Sequence, residues 1–282
     1  MTRIVVAGSV NLDLVAAGAP LPKAGETVTG AVFARHPGGK GANQALAARR
    51  LGAEAALVAR VGRDALADEA LALLRAGGVD LTGVTVDDEV ATGVALIAVD
   101  AQGENQITVA PGANAALTPD RLALPAGDAL ICQLELPPAT VARAAQASEG
   151  FFCVNLAPAA PVDPAVIARA DLIVVNEGEA AFYGGTLHQA RGLVAVTHGA
   201  RGAALLRGGV EVARAAPPAV TAMDTTGAGD AFVAALVVAL LEGVDEAAAL
   251  RFACAAGACA ATRAGAQSSL PTRAAVEALL AG

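Results

Sequence analysis

The residues Asp224-Thr225-Thr226-Gly227-Ala228-Gly229-Asp230 run without a break into AFVAALVVALL, an apolar stretch with no helix breaker before Gly243. This spacing predicts a buried helix over residues 228–242, with Gly227 and Gly229 forming its N-terminal approach. Glycine reaches positive φ and lets a ligand come close to the backbone. The first N–H groups of a helix have no internal partner and lie at the positive end of its dipole. Such a place binds anions, phosphate above all. Asp230 stands at that mouth, where it could accept a hydroxyl proton beside a phosphoryl group in transit. The other reading of Asp230 is a plain N-cap, and the stretch alone leaves both open.

A second glycine-rich stretch, Gly38-Gly39-Lys40-Gly41-Ala42-Asn43-Gln44, opens a helix that stops at Gly52 and offers backbone N–H groups, a cation and an amide. It is not a Walker A loop, which requires Gly at 34 and Ser or Thr at 41; Ala34 and Gly41 stand there. Asn11 and Asp13 follow the apolar run RIVVAGS, where two short polar groups suit paired hydroxyls or ordinary turn chemistry. Glu135 lies just past the apolar run ALICQL, where a carboxylate is costly unless it binds something or reaches solvent. Asn176 and Glu179 follow DLIVV and are spaced to order water or Mg²⁺ around phosphates, or to form a capping box. Thr197-His198-Gly199-Ala200-Arg201-Gly202 is a further strand-to-glycine turn. The three histidines lack metal-ligand spacing, which argues against a zinc or iron site.

The elements that must hold these groups alternate. AALVARVG, ALICQL, GFFCVNLA, DLIVVNE and LVAVTHG read as buried strands, with helical stretches between them. The pattern predicts an α/β fold of three layers, a mainly parallel central sheet between helices. Residues 92–109 break the rhythm as two strand-like runs around DAQGEN, a hairpin signal. With residues 14–34, in which ETVTGAVF has the content of an exposed strand, they predict a small antiparallel lid. The last third reads as helices over 228–242, about 245–262 and 272–281. The 282 residues are 55% apolar, enough for a large core, and are expected to form one domain over 1–282. A net charge of −8 offers no basic footprint for nucleic acid. No apolar run is long enough to span a membrane, and the start does not fit a signal peptide, so the expected compartment is the cytoplasm. The four cysteines form no C-x-x-C pair and read as reduced core residues. Aromatic residues are 2% of the chain, too few to build a ring-stacked pocket for a nucleoside substrate.

Taken in order, GSVNLD, PKAGETVTG, GGKGANQ, TGVALI, GEN, GANAALTP, QLE, NLAPA, NEGE, THGARG, DTTGAGDAF and TRAGAQSSLP resemble the ribokinase-like carbohydrate kinase family nearly end to end. GGKGANQ and DTTGAGD are specific in combination. The resemblance implies transfer of the ATP γ-phosphoryl group to the primary hydroxyl of ribose or a related small sugar. It implies that Asn11, Asp13, Gly39, Lys40, Gly41, Ala42, Asn43 and Glu135 hold the sugar and that Asp230 is the base. Gly227, Ala228 and Gly229 would present the anion hole. Asn176, the Thr197–Gly202 turn with His198, Gly199, Ala200 and Arg201, and Cys254 would line the nucleotide site, with Gly229 and Asp230 at its phosphate end. Glu179 would place Mg²⁺ through water. A K⁺ site would fall on Asp224, Thr226, Ala260, Arg263, Gly265 and Ser269, and a homodimer would form through the lid.

Three features depart from the family pattern: a short 180–196 segment, Cys254 where a polar residue is usual beside adenine, and Pro37 before GGKGANQ. Two other readings stand beside the ribose kinase. One is a kinase of another small sugar or a nucleoside; the other is a catalytically silent sugar-binding relative, which would have no chemical need for Asp230.

Overall fold

The structure, a computed structural model, describes residues 2–282. The chain begins with β1 (Arg3–Ala7), leaves for β2 (Asn11–Ala17) and β3 (Val32–Gly38), and returns through α1 (Lys40–Arg50), β4 (Glu54–Gly62), α2 (Ala65–Gly77) and β5 (Asp80–Asp87). The hairpin β6 (Gly93–Val99) and β7 (Asn105–Ala110) follows. Then β8 (Ala129–Gln133), α3 (Pro138–Ala147), β9 (Phe151–Asn155), α4 (Pro164–Arg169), β10 (Leu172–Asn176), α5 (Glu177–Tyr183) and β11 (Leu193–Thr197) alternate. The chain closes with β12 (Ala203–Arg207), β13 (Val210–Ala215), α6 (Ala228–Leu241), α7 (Glu246–Ala261), α8 (Ala266–Ser269) and α9 (Arg273–Ala281).

Nine strands form one sheet in the order β13-β12-β11-β10-β9-β8-β1-β4-β5. Strands β11 through β5 in that order are parallel, and β12 and β13 add an antiparallel edge. The inner parallel strands β1, β8, β9, β10 and β11 are apolar along most of their length because helices cover both faces. One core contains Ile4, Leu46, Leu57 and Leu236 under α1, α2, α6 and α7; the other contains Val5, Phe152, Leu156 and Ile167 under α3 and α4. Helix α6 is buried from Asp230 to Ala239, all round its axis, as its unbroken Ala/Val/Leu content requires. The chain runs from β1 outward to β4 and β5 and then back to β8, on the other side of β1. That reversal opens a crevice at the carboxyl ends of β1 and β8, the place where open α/β sheets bind ligands.

The second sheet has the order β3-β2-β6-β7. Its outer pairs are antiparallel and its central β2–β6 pair is parallel. The hairpin over 92–109 is as the DAQGEN turn predicts. Two boundaries differ from the sequence reading. Asn11 and Asp13 lie inside β2 rather than in a turn, and β3 starts at Val32, so Glu26–Ala31 is loop despite its Thr and Val content. The loop is punctuated by Gly25 and Gly30 and packs on nothing that would fix a strand. Pro37 is accommodated because β3 is an edge strand, where a missing N–H costs no ladder bond. Strands β5 and β13 were not anticipated: DLTGVTVD and VEVARA carry too many polar residues for a buried-strand pattern, as edge positions allow. All four cysteines are free, and no described helix is long and apolar enough to cross a membrane.

Candidate active site

The helix starts of α1 and α6 meet over the crevice between β1 and β8. Gly227 precedes α6 with φ 79°, a left-handed conformation that a side chain resists, and a Cβ there would lie 3.0 Å from the Ala266 carbonyl. Gly39 precedes α1 at φ 89°, and its Cβ would lie 2.7 Å from the Asn11 N–H nitrogen. At Gly41 any side chain would collide with the backbone of Gly8, 2.5 Å away. The glycines of GGKG therefore let α1 press directly onto the end of β1.

This approach brings Asn43 and Gln44 to the carboxylate of Asp230. Asn43 Nδ2 donates to Oδ2 at 2.8 Å and Gln44 Nε2 donates to Oδ1 at 2.9 Å. Asp230 is only 7% exposed and caps nothing, since neither Gly227 nor Asp230 supplies a side-chain cap to α6. The N-cap reading of Asp230 is thereby set aside. Burial pushes its carboxyl above the usual range, against the pull of Lys40, Asn43 and Gln44, and Glu135 adds to the rise. The Ala228 N–H is bonded to the Thr225 carbonyl at 3.1 Å, so the anion-hole donors left at this mouth are those around it rather than Ala228 itself.

Glu135 accepts from Ser9 Oγ and, at 3.2 Å, from the Lys40 backbone N–H. It is thus the bound carboxylate of the two alternatives, not a solvated one. For Lys40, burial favours the neutral amine, but Asp230, Glu135, Glu179 and Asp13 outweigh it and hold the pKa above the ordinary lysine value. Asp13 is buried beside these acids. Desolvation, then Glu135 and Asp230, raise its pKa to about 7, with Lys40 opposing. Asn11 Oδ1 accepts from Asn114 Nδ2 at 2.8 Å, while Asn114 also bonds both backbone groups of Val10. Asn43 Oδ1 is buried with no partner, an acceptor left for a bound hydroxyl. A cleft of about 460 Å³ opens here, lined by Asn11, Asn114, Glu135 and Pro137. A larger cleft of about 630 Å³ lies between α2 and β5 and contains none of these groups. The convergent polar residues, not the volume, mark the site.

Asn176 and Glu179 form the capping box of α5: Asn176 Oδ1 accepts from the Glu179 N–H and Glu179 Oε2 from the Asn176 N–H, both at 2.8 Å. Glu179 Oε1 is not used by the box, and burial raises the pKa of this carboxyl against the Asn176 N–H bond and Lys40. Thr197 ends β11, and His198, Gly199, Ala200, Arg201 and Gly202 make the turn into β12. Arg201 pairs with Glu177 at 2.5 Å, and His198 Nδ1 lies 3.1 Å from Glu177 Oε1 but off the line of a hydrogen bond. Cys254 packs on β13 with Sγ 3.7 Å from the Ala215 carbonyl, its thiol pushed up to about 11 by burial. The short 180–196 segment is met by ending α5 at Tyr183 and crossing Gly184–Gln189 as a tight 3₁₀ turn.

Asp224 ties two loops together, accepting from the Thr226 N–H at 2.9 Å and the Gly265 N–H at 2.8 Å. Burial raises its pKa, but bonds from Thr226 and Gly265 and the nearby His36 bring it below the ordinary value. The sequence reading passed over Ser9, Gln44, Asn114, Gln133 and Asn155, although each lies within a quoted motif. Neutral side chains carry no signal of their own until the fold brings a charge beside them.

A family model described as pfkB family carbohydrate kinase matches residues 1–273. The chain belongs to that family. A ribokinase of Bacillus subtilis is 40% identical over 295 residues, covering 99% of this chain and 100% of its own. The solved ribokinase of Thermotoga maritima superposes with a TM-score of 0.91 at 33% identity, covering all of both chains. A ribokinase of Arabidopsis thaliana, solved with ribose and ATP, gives 0.88 at 29% identity over 99% of this chain and 98% of its own. This pfkB-family chain therefore has the α/β sandwich and small lid sheet of carbohydrate kinases.

Cations that the family implies can be tested on the donor set. No group of three or more His, Cys, Asp or Glu side chains among the described residues could enclose a metal. A divalent ion would thus take one carboxylate, or at most two, with water and phosphate oxygens as its other ligands, as Mg²⁺ prefers. Asp224 accepts one N–H on each carboxylate oxygen, from Thr226 and Gly265, and so ties the loop before α6 to the 260–269 loop.

The raised pKa of Asp13 has a consequence for stability. The folded state holds this proton more tightly than the unfolded chain, whose value is near 3.8, so stability falls as pH rises from there to about 7. Asp13→Asn should be more stable than the parent at pH 8, by on the order of 2–4 kcal/mol at most. The gap should close as pH falls towards 4. Urea denaturation at both pH values checks this; equal midpoints at pH 8 would contradict it.

Proposed function

We propose that the chain transfers the γ-phosphoryl group of ATP to the primary hydroxyl of ribose, giving ribose 5-phosphate. The observation that carries this reading is the buried Asp230 carboxylate at a glycine-bounded helix mouth, with the unpartnered Asn43 oxygen and the Asp13, Lys40 and Glu135 charges beside it. The full-length likeness to ribokinases supports ribose and ATP as the pair.

On this reading the sugar lies in the crevice between the β1 and β8 ends, under the lid sheet. Asn11, Asp13, Asn43 and Glu135 accept or donate to its hydroxyls, and Gly39, Lys40, Gly41 and Ala42 supply backbone contacts and positive charge. Asp230 takes the proton of the attacking hydroxyl. The α6 mouth at Gly227–Gly229 stabilises the charge on the phosphoryl oxygens, which develops in line between donor and acceptor. Asn176 and the 197–202 turn hold the nucleotide, with Cys254 behind the base. Glu179 would hold water of a nucleotide-bound Mg²⁺, which would supply neutralisation of the phosphate charge. Asp224, with Thr226, Ala260, Arg263, Gly265 and Ser269, would hold K⁺, which would supply a fixed charge behind the loop that precedes α6. Residues 1–282 act as one catalytic unit, with the β3-β2-β6-β7 sheet as a lid that excludes water.

The lid also supports self-association. The sheet exposes Phe33 and Leu96 on one face and Val32, Ile107 and Val109 on the other, and β3 and β7 are open edges. A second copy would cover both.

Asp230→Asn should leave ribose binding intact by calorimetry while kcat falls at least ~10²-fold, the scale of a general base. Turnover near the parent rate would remove Asp230 from this role. In the same assay, Na⁺ in place of K⁺ should slow the parent protein; an unchanged rate would discard the monovalent-cation site. Sedimentation at micromolar concentration should give a dimer, and a monomer there would refute pairing through the lid.

A further inference from the structure

Behind Asp230, away from the cleft, stands a chain of buried amides that the chemistry above does not use. Gln44 and Gln133 are fully buried, and Asn155 is 8% exposed. Gln44 Nε2 donates to Asp230 Oδ1 at 2.9 Å and lies 3.2 Å from Asn155 Oδ1. Gln44 Oε1 accepts from Gln133 Nε2 at 2.5 Å. Asn155 is itself anchored, because its Nδ2 donates to the Val174 carbonyl at 3.1 Å.

The orientation of each amide follows from its neighbours. Asn155 must turn its oxygen to Gln44, since its NH₂ group is bound to the backbone of β10. Asp230, when ionised, accepts only. Both acceptors therefore call for the NH₂ of Gln44, and its oxygen is left to face the NH₂ of Gln133. A flipped Gln44 would set oxygen against carboxylate and against the Asn155 oxygen, while presenting NH₂ to NH₂. The cost of this order appears at the far end: Gln133 Oε1 is buried without a partner, close to Gly8, where a Cβ would lie 2.1 Å from it. A buried orphan acceptor is normally avoided, so the arrangement needs a reason.

We infer that Gln44 is a positioning residue for the base Asp230, held in a single amide orientation by Gln133 and Asn155. The inference rests on the reading of Asp230 as the base. Asn43 holds the other carboxylate oxygen and keeps a buried Oδ1 without a partner, whereas every side-chain bond of Gln44 goes to Asp230 or to the two amides that orient it. Donation from Gln44 favours the ionised carboxylate and fixes the plane in which Oδ2 meets the hydroxyl proton. The charged groups that also face Asp230 are Lys40 at the start of α1, Glu135 after β8 and Asp13 in β2; Lys40 favours ionisation and the two carboxylates oppose it. With desolvation already pushing the proton onto Asp230, Gln44 joins Lys40 and Asn43 in favouring the ionised base.

The test is the pH dependence of kcat for Gln44→Met, which keeps the volume and removes the donor. The acid limb should move up by about one pH unit, with turnover recovering towards the parent value at higher pH. A residue that only packed the interior would lower kcat evenly across pH and leave the limb in place, and that result in a folded variant overturns the inference. If Gln44→Met does not fold, Gln133→Leu carries the test without touching Asp230: a smaller upward move supports the inference and an unmoved limb overturns it. Asp230→Asn measured alongside separates the two claims. Retained turnover there defeats the base itself, whereas an inactive Asp230→Asn with an unmoved limb in the glutamine variant defeats only the role of Gln44.

Discussion

The carboxylate of Asp230 is the constraint on which the rest of the structure depends. An acid buried to 7% exposure at the start of an apolar helix is unfavourable unless donors and a cation reach it. The donors come from α1, and α1 can deliver them only because Gly41 allows its first turn to touch Gly8 at the end of β1. The crossover from β5 back to β8 then brings Gln133 and Glu135 to the same crevice, where Glu135 meets the Lys40 backbone N–H. Topology, helix approach and charge pairing are one arrangement seen at three scales.

The electrostatics follow from the same crowding. Asp13, Glu135, Glu179 and Asp230 surround a single buried ammonium, Lys40. Such a cluster is held at a cost to stability, which the pKa of about 7 at Asp13 makes visible. Binding sites commonly trade stability for charge in this way. A sugar whose hydroxyls bond these carboxylates would relieve much of the cost, so affinity and strain share an origin.

Much of this was legible in the chain, and the reasons differ by residue. DTTGAGD declared itself because glycines before a long apolar run leave few readings other than a helix mouth. The buried strands were legible as runs of Val, Ile and Leu, and the 92–109 hairpin through its turn residues. Edge strands β5 and β13 were not, because half-exposed strands tolerate polar residues and lose the pattern. The loop 26–31 misled in the opposite sense: β-branched residues need a partner strand, and the β2 pairing ends at Val32. Asn176 and Glu179 read first as a capping box and second as ligands, and the fold makes them a cap while leaving Glu179 Oε1 outside it. Gln44, Gln133 and Asn155 were out of reach because an amide in an apolar stretch has no meaning until three separated segments meet at one carboxylate.

The account is tested most directly by measuring ADP formation from ATP against a panel containing ribose, 2-deoxyribose, other small sugars and nucleosides. Phosphorylation of ribose well ahead of the others, with the phosphate on the primary hydroxyl, is the result it predicts. A folded protein that turns over none of them would contradict the account at its centre, because a buried base, a free acceptor at Asn43 and an anion-binding helix mouth would then be present without the reaction they imply.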